Sequence, residues 1–124
     1  MPAESIFMKA GNLRRLCEVT FREGKTALVE PYAIYTAETK RRLYLWYQLA
    51  SDPPEEPGWK SPEAVQVVSA RVRDETFSPR PQYDPFDSQK YPVMHFCIPT
   101  ADGRQRWADA SRSLASKQDV HVGG

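Results

Sequence analysis

Two arginines, Arg71 and Arg73, are the residues whose type and spacing point most directly to chemistry. They lie two positions apart in a Val-rich segment, so a β-strand there would place both side chains on one face. Two guanidinium groups on one face can hold an anion through paired hydrogen bonds. A solvated strand face is the simpler interpretation of the same pair, and the residues alone leave both open.

The residue combinations that carry common enzymatic chemistry are missing from the sequence. It contains no glycine-rich phosphate loop, no Gly-x-Ser-x-Gly motif and no His-Glu-x-x-His motif. His95 and Cys97 share a strand face, but they lie ~6.6 Å apart along an extended backbone and no third group orients them. With two Cys and two His, none of the usual zinc spacings occurs. We therefore expect a non-catalytic protein without a metal or a cofactor.

The overall charge is close to balanced, with 17 Lys and Arg against 16 Asp and Glu and a formal net charge of +1. This balance argues against bulk attraction to nucleic acid or to an anionic membrane, although a local basic patch remains compatible with it. Neither a signal peptide nor a membrane span is indicated. Cys17 and Cys97 lie in apolar runs and are predicted to be buried free thiols; a disulfide would require an oxidising compartment. We expect a single cytoplasmic domain over residues 1–124, without a membrane partner.

The segment Leu43–Leu49 is predicted to be the central strand of the fold. Leucines and a tyrosine alternate there with Tyr44, Trp46 and Gln48, so both faces are largely apolar. Tyrosine and tryptophan fit a pleated, half-buried surface well. A buried helix is the alternative, because a short apolar run cannot be assigned by periodicity alone.

Four further strands and two helices are expected around this segment, which makes the fold mainly β. Alternating residues predict strands at Leu16–Phe21, Thr26–Tyr35, Val65–Arg73 and Val93–Ile98. Pro31 marks an edge position, a bulge or a bend in the second of these strands. A short helix is predicted within Ala3–Leu13, and a C-terminal helix begins near Asp102, with Trp107, Ala110 and Leu114 on one face.

Two proline-rich stretches, 51–62 and 74–92, are predicted to be irregular. Trp59 lies in the first, where it either pins the loop to the core or lines a binding surface. The second stretch contains four aromatic residues that favour wrapping on the domain over a flexible linker, since flexible linkers are poor in aromatics. These residues are Phe77, Tyr83, Phe86 and Tyr91.

The order of these elements resembles the WYL domain family. The resemblance rests on the proline-marked strand Leu28–Tyr32, the aromatic strand beginning Leu43-Tyr44-Leu45, the tripeptide Pro57-Gly58-Trp59 and the segment 74–81. It covers residues 13–83 and leaves 84–124 as a C-terminal extension. It implies a small SH3/Sm-like antiparallel β-barrel of about five strands. It also implies a ligand-sensing role of the kind found in bacterial transcriptional regulators, with a basic pocket for nucleotides or nucleic acid.

Two functions follow as hypotheses. In the first, a WYL-like module binds a negatively charged ligand such as a nucleotide or single-stranded nucleic acid, and regulation requires a partner regulatory protein or a homo-oligomer. Arginines would neutralise phosphate while two aromatic rings stack on bases, although burial under the proline-rich loop is favoured for Trp46. The predicted ligand-binding residues are Arg41, Arg42, Tyr44, Trp46, Arg71 and Arg73. In the second, aromatic loops around Trp59 and Tyr83 bind another protein, and nucleic acid is not a ligand.

Overall fold

The computed structural model describes residues 2–108. It consists of a single antiparallel sheet with one helix on one of its faces. A 3₁₀ turn at Ala64–Gln66 leads into the fifth strand. The mainly β prediction is confirmed, as are the five predicted strands, although the fourth begins at Val67 rather than Val65. A short strand at Gly58–Lys60 lies in a stretch predicted to be irregular. The elements are α1 (Pro2–Leu13), β1 (Arg15–Phe21), β2 (Thr26–Thr36), β3 (Arg42–Asp52), β4 (Gly58–Lys60), β5 (Val67–Thr76) and β6 (Val93–Cys97).

The strands are ordered β4-β3-β2-β1-β5, and β6 pairs with β2. One edge of β2 is shared, because β1 pairs with its first half and β6 with its second half. In the part of the chain that the structure describes, β4 and β5 end the sheet and do not pair with each other. The sheet therefore has six strands and is not closed, and the closed barrel implied by the resemblance is not confirmed.

Pro31 lies where β2 changes neighbours. The ladder with β1 reaches Val29 and the ladder with β6 begins at Ala33, so Pro31 falls between the two. The register with β3 also shifts between Pro31 and Ala33. Since proline has no N–H to donate, this gap allows it inside a central strand. Of the edge position, bulge or bend predicted at Pro31, the structure shows an irregularity of the ladder in a central strand.

Helix α1 packs on one face of the sheet and forms what we call the helix-side core. The Phe7 ring lies 4.6 Å from the Tyr44 ring and 6.1 Å from the Trp46 ring, measured between centroids. Gly11 allows this close approach, because a Cβ atom there would lie 2.9 Å from Cζ of Phe96. The buried members of this core are Ala3, Phe7, Ala10, Cys17, Val19, Phe21, Ala27, Val29, Ile34, Tyr44, Trp46 and Val67.

Residues 77–106 cover the opposite face and complete what we call the outer core. Tyr83 packs 4.6 Å from Tyr32, and Tyr91 packs 4.7 Å from Tyr35. The predicted wrapping of this stretch is therefore confirmed, although Phe86 remains 37% exposed. The buried members of this core are Tyr32, Ala33, Tyr35, Leu45, Tyr83, Met94, Cys97 and Ile98.

The C-terminal helix is not found in the described residues, since the chain after β6 turns at Thr100–Arg104 and is irregular to residue 108. Asp102 accepts a hydrogen bond from the Thr100 hydroxyl, so it stabilises this turn rather than capping a helix. Gly103, with φ +85°, supplies the left-handed conformation that the turn requires. Trp107 is 66% exposed and does not dock. Ala110 and Leu114 lie outside the described residues.

Both cysteines are buried free thiols, as predicted. Cys17 belongs to the helix-side core, where burial raises its pKa to about 12. Cys97 belongs to the outer core and donates its S–H to the carbonyl oxygen of Arg106. The neighbouring His95 places Nε2 2.7 Å from Oγ1 of Thr36.

Candidate ligand pocket

Arg41 and Arg42 lie at the start of β3, and both are paired with carboxylates. Arg42 donates from Nε and from Nη2 to the two carboxylate oxygens of Glu4, at 2.8 and 2.9 Å. This hydrogen bonding holds the pKa of the Glu4 carboxyl below its usual value. Arg41 forms an ion pair with Glu63. An anionic ligand at this position would have to displace two carboxylates.

Arg71 and Arg73 lie on one face of β5, and they too are neutralised. Arg71 donates to Oε1 of Glu18 at 2.9 and 3.2 Å, and Nη1 of Arg73 lies 3.7 Å from the same carboxylate. Arg73 donates to both carboxylate oxygens of Glu75, at 2.9 and 3.1 Å. The solvated, ion-paired face is therefore the better description of this pair.

The two arginine pairs do not converge on one site. Arg71 lies opposite Glu18 of β1, which lies opposite Leu28 of β2. Leu28 in turn lies opposite Ala50 of β3. Along β3, Ala50 is about 26 Å from Arg42, at roughly 3.3 Å per residue. One small ligand cannot contact both pairs.

Tyr44 and Trp46 are buried in the helix-side core, with exposures of 1% and 0%. The Trp46 ring contacts Phe21 at 5.9 Å, and its Nε1–H donates to Oε1 of Gln48 at 3.3 Å. Neither ring is accessible to a base, so the stacking role predicted for them does not fit this structure. The burial predicted for Trp46 is confirmed, but α1 covers it rather than the proline-rich loop.

A different site is formed on the opposite face, where the sheet meets residues 82–91. A cavity of about 580 Å³ lies there, and four of its walls are aromatic rings. β2, β3 and β4 supply one side and residues 82–91 supply the other. The lining residues are Tyr35, Leu45, Trp59, Ser61, Gln82, Tyr83, Asp84, Lys90 and Tyr91.

Packing and hydrogen bonds hold two of the aromatic walls in place. The Trp59 ring lies 4.8 Å from Tyr32 and 5.4 Å from Tyr47, the second contact being edge-to-face. The Tyr83 hydroxyl donates to the carbonyl oxygen of Ile98 at 2.7 Å. Trp59 therefore both pins its loop and lines a cavity, so the two interpretations drawn from the sequence are compatible.

A partly buried ion pair lies next to this wall. Arg80 donates from Nε and Nη2 to the Glu30 carboxylate at 2.9 and 3.1 Å, and Glu30 is only 6% exposed. The Arg80 guanidinium also lies 3.6 Å from the ring centroid of Tyr47, the residue that packs on Trp59. The hydroxyl of Tyr32 donates to Glu30 at 3.0 Å. This clamp ties residue 80 to the strand beneath the cavity.

The polar groups of the cavity differ in whether they already have a hydrogen-bond or ion-pair partner. Asp84 accepts a hydrogen bond from the backbone N–H of Phe86 at 3.0 Å. Lys90 is exposed, and none of the carboxylates in residues 2–108 forms an ion pair with its ammonium. Burial, together with the neighbouring Tyr35, raises the pKa of Tyr91 to about 12, so its hydroxyl is protonated at neutral pH. The cavity therefore offers stacking surfaces, the ammonium of Lys90, the carboxylate of Asp84 and the neutral hydroxyl of Tyr91.

The sequence signals only part of this site. It marks Trp59 and Tyr83 as aromatic loop residues, whereas nothing in it connects Tyr35 and Lys90 with them. Tyr35 lies in β2 and packs on Tyr91, 56 positions further along the chain. Local alternation along a strand contains no signal for such a contact.

Comparisons with known proteins add no assignment: no family model, no curated protein and no solved structure matches the chain. None of the helices in residues 2–108 is long and apolar enough to cross a membrane. In the same residues, no three His, Cys, Asp or Glu side chains are grouped in a way that could hold a metal ion.

Proposed function

We propose that this protein is a non-catalytic, WYL-like ligand-binding module that takes a small, planar, negatively charged ligand such as a nucleotide. The proposal rests on the aromatic cavity, whose volume of about 580 Å³ falls within the range of small-ligand pockets, roughly 300–1,000 Å³. In this proposal the ring of the ligand stacks on Trp59 and the neighbouring tyrosines. Its anionic group pairs with Lys90.

The chemistry of the lining supports a ligand of this class. Stacking of a base on an aromatic side chain contributes about 1–3 kcal/mol and tolerates any base, because every base has a π face. An ammonium group binds phosphate as a compact point charge. Lys90 has no carboxylate partner among residues 2–108, whereas Arg41, Arg42, Arg71 and Arg73 all have one. The anion-binding role therefore passes from the arginines to Lys90.

The proposed function also implies a type of fold, a regulatory partner and a cellular compartment. The sheet is interpreted as an SH3/Sm-like barrel that has opened between β4 and β5. Regulatory output passes to a partner regulatory protein or to a second copy of the chain. Two buried free thiols, Cys17 and Cys97, suit a reducing compartment such as the cytoplasm.

Isothermal titration calorimetry of the full chain with adenosine and thymidine 5′-monophosphates tests the proposal. We expect saturable binding at one site. Trp59→Leu and Lys90→Ala each weaken it by about tenfold, in line with the loss of one stacked ring or of one charge-assisted contact. Trp107→Leu is the matched control for Trp59, because Trp107 is 66% exposed and does not line the cavity. The pair Arg71→Ala and Arg73→Ala leaves the affinity unchanged.

Three outcomes would redirect the proposal. Absence of binding by both mononucleotides overturns it. Binding that survives loss of Trp59 and Lys90 but disappears without Arg71 and Arg73 returns the site to the arginines of β5. Binding of a single-stranded oligonucleotide alone, with a steep dependence of affinity on salt, replaces the small ligand with a polymer.

The protein-interaction alternative uses the same aromatic residues, Trp59 and Tyr83. Both line a cavity that is open to solvent, and an apolar side chain of a partner protein could occupy it. Sedimentation at increasing protein concentration, with and without mononucleotide, separates the two. Self-association that Trp59→Leu abolishes and that nucleotide does not affect would favour the alternative.

A further inference from the structure

Tyr35 carries a hydroxyl group that has no hydrogen-bond partner among the residues that the structure describes. The residue is only 6% exposed, and it lines the aromatic cavity. Within residues 2–108 its hydroxyl takes part in no hydrogen bond. In those residues, the hydroxyl of Tyr44 is the one buried side-chain polar group that is sealed from solvent and has no hydrogen-bond partner. The Tyr35 hydroxyl has no partner either, so it is not sealed from solvent. The Tyr35 hydroxyl is therefore reached through the cavity.

Other tyrosines of the outer core use their hydroxyls to hold the protein together. Tyr32 donates to the Glu30 carboxylate, and Tyr83 donates to the carbonyl oxygen of Ile98. Tyr35 differs from both, and its ring lies 4.7 Å from Tyr91, whose own hydroxyl is protonated at neutral pH. Two hydroxyl groups thus belong to adjacent rings in the wall of one cavity.

From this arrangement we propose that Tyr35 is a specificity-determining residue, selecting ligands whose ring has a hydrogen-bonding edge over ligands with a plain aromatic ring. The inference rests on the proposed function and adds a selection rule to it. An apolar ring would displace water from the Tyr35 hydroxyl without forming a hydrogen bond to it. Leaving a buried polar group unpaired in this way costs free energy. A ring nitrogen or carbonyl would replace that water. Sites that hydrogen-bond their ligand reject analogues lacking the group much more strongly than apolar pockets reject a change of shape.

The test compares each mononucleotide with an isostere of its base that cannot form hydrogen bonds. The isosteres are 2,4-difluorotoluene for thymine and 4-methylindole for adenine, each on the same sugar 5′-phosphate. The wild-type protein is expected to bind the natural nucleotide at least about tenfold more tightly than its isostere. Tyr35→Phe keeps the ring and removes only the oxygen, so it should weaken nucleotide binding by about tenfold. It should strengthen isostere binding, because the cost of displacing water from the hydroxyl disappears with the hydroxyl.

Tyr44→Phe is the matched control, since it also removes one buried tyrosine hydroxyl, but in the helix-side core. Its discrimination between nucleotide and isostere should equal that of the wild type. If both compounds bind and Tyr35→Phe leaves the discrimination intact, the role of Tyr35 is wrong while the proposed function stands. Equal binding of the two compounds to the wild type would likewise overturn the selection rule and leave the proposed function standing. If neither class of compound binds, the proposed function fails and the selection rule fails with it.

Discussion

At the scale of single residues, Tyr44 stands out because its hydroxyl is buried without a hydrogen-bond partner among residues 2–108. Its ring fills the space between α1 and the sheet, where it contacts Phe7 and Trp46. Burial raises the pKa of the phenol above its usual value, with the Glu4 carboxylate adding to the effect. The ring contributes to packing, while the oxygen costs free energy.

We predict that Tyr44→Phe stabilises the protein by about 1 kcal/mol, since an unpaired buried polar group costs about 1–3 kcal/mol. Urea denaturation of the two proteins measures the difference. Tyr83→Phe should have the opposite sign, because that hydroxyl donates to the carbonyl oxygen of Ile98 at 2.7 Å. A loss of stability in Tyr44→Phe would mean that the hydroxyl is satisfied after all.

The Glu4–Arg42 pair gives a prediction for pH dependence. Arg42 holds the pKa of Glu4 below its usual value in the folded protein. A carboxyl group whose pKa is lowered by folding stabilises the protein above its unfolded pKa, ~4.3, and this contribution disappears as the pH falls through the lowered value. Because the Arg42 side chain is 42% exposed, we expect only about 0.5–1 kcal/mol.

Urea denaturation of the wild type and of Glu4→Gln at pH 7, 5 and 3 tests this expectation. The stability difference should be present at pH 7 and should shrink towards zero at pH 3. Glu38→Gln is the control, since the described part of the chain contains no ion pair for Glu38. A difference for Glu4→Gln that is the same at all three pH values would show that the ion pair is not its cause.

At the scale of elements, the Glu30–Arg80 clamp joins β2 to residues 77–106, which cover the outer face of the sheet. Arg80→Met would leave the buried Glu30 carboxylate without its cation, and we expect a loss of about 2 kcal/mol. This is less than the ~3–5 kcal/mol of a fully buried broken pair, because the Arg80 side chain is 35% exposed. Adding Glu30→Gln should recover part of the loss, since a neutral amide is easier to bury than an unpaired charge.

A double-mutant cycle in urea measures this coupling. The comparison set is Arg73→Met with Glu75→Gln, an exposed pair on β5 whose coupling should lie below about 1 kcal/mol. Additive effects of Glu30→Gln and Arg80→Met would show that the clamp contributes no specific interaction.

Strand positions are predictable because alternation is a local property. Leu16–Phe21 and Val93–Ile98 each contain the period-two pattern that the structure realises as β1 and β6. The helix start predicted at Asp102 is wrong. Aspartate is common both at helix starts and in turns, so the residue type alone does not distinguish the two. Gly103, at φ +85°, belongs to a turn. β4 is three residues long, and its pairing with β3 depends on contacts that no local pattern records.

At the scale of the whole molecule, the site could not be predicted because its parts are paired over long distances in sequence. Arg42 forms an ion pair with Glu4, and Arg71 forms one with Glu18. Residues that look like free cations in the sequence are therefore neutralised in the fold. Whether the face that carries Trp46 is buried depends on where α1 docks. The WYL resemblance covers residues 13–83, whereas Lys90 and Tyr91 belong to the extension.

The two cores share their strands, and we therefore predict that the molecule unfolds as one unit. Ile34 and Tyr44 belong to the helix-side core, while their chain neighbours Tyr35 and Leu45 belong to the outer core. Because β2 and β3 contribute side chains to both cores, loss of packing in one core should weaken the strands that hold the other. The extension is part of this unit, since β6 pairs with β2.

Tryptophan fluorescence can follow each core separately. A Trp59→Phe, Trp107→Phe protein reports from Trp46 in the helix-side core, and a Trp46→Phe, Trp107→Phe protein reports from Trp59 at the outer core. In each variant the fluorescence transition in urea should coincide with the loss of far-ultraviolet circular dichroism, which is the mark of two-state unfolding. If the Trp59 signal instead changes at lower urea than the circular dichroism, the extension opens first, and a boundary near residue 84 separates a barrel-like core from its cover. The cavity would then depend on the docking of that cover, and ligand should move the first transition to higher urea, whereas in a single unit it moves the whole transition.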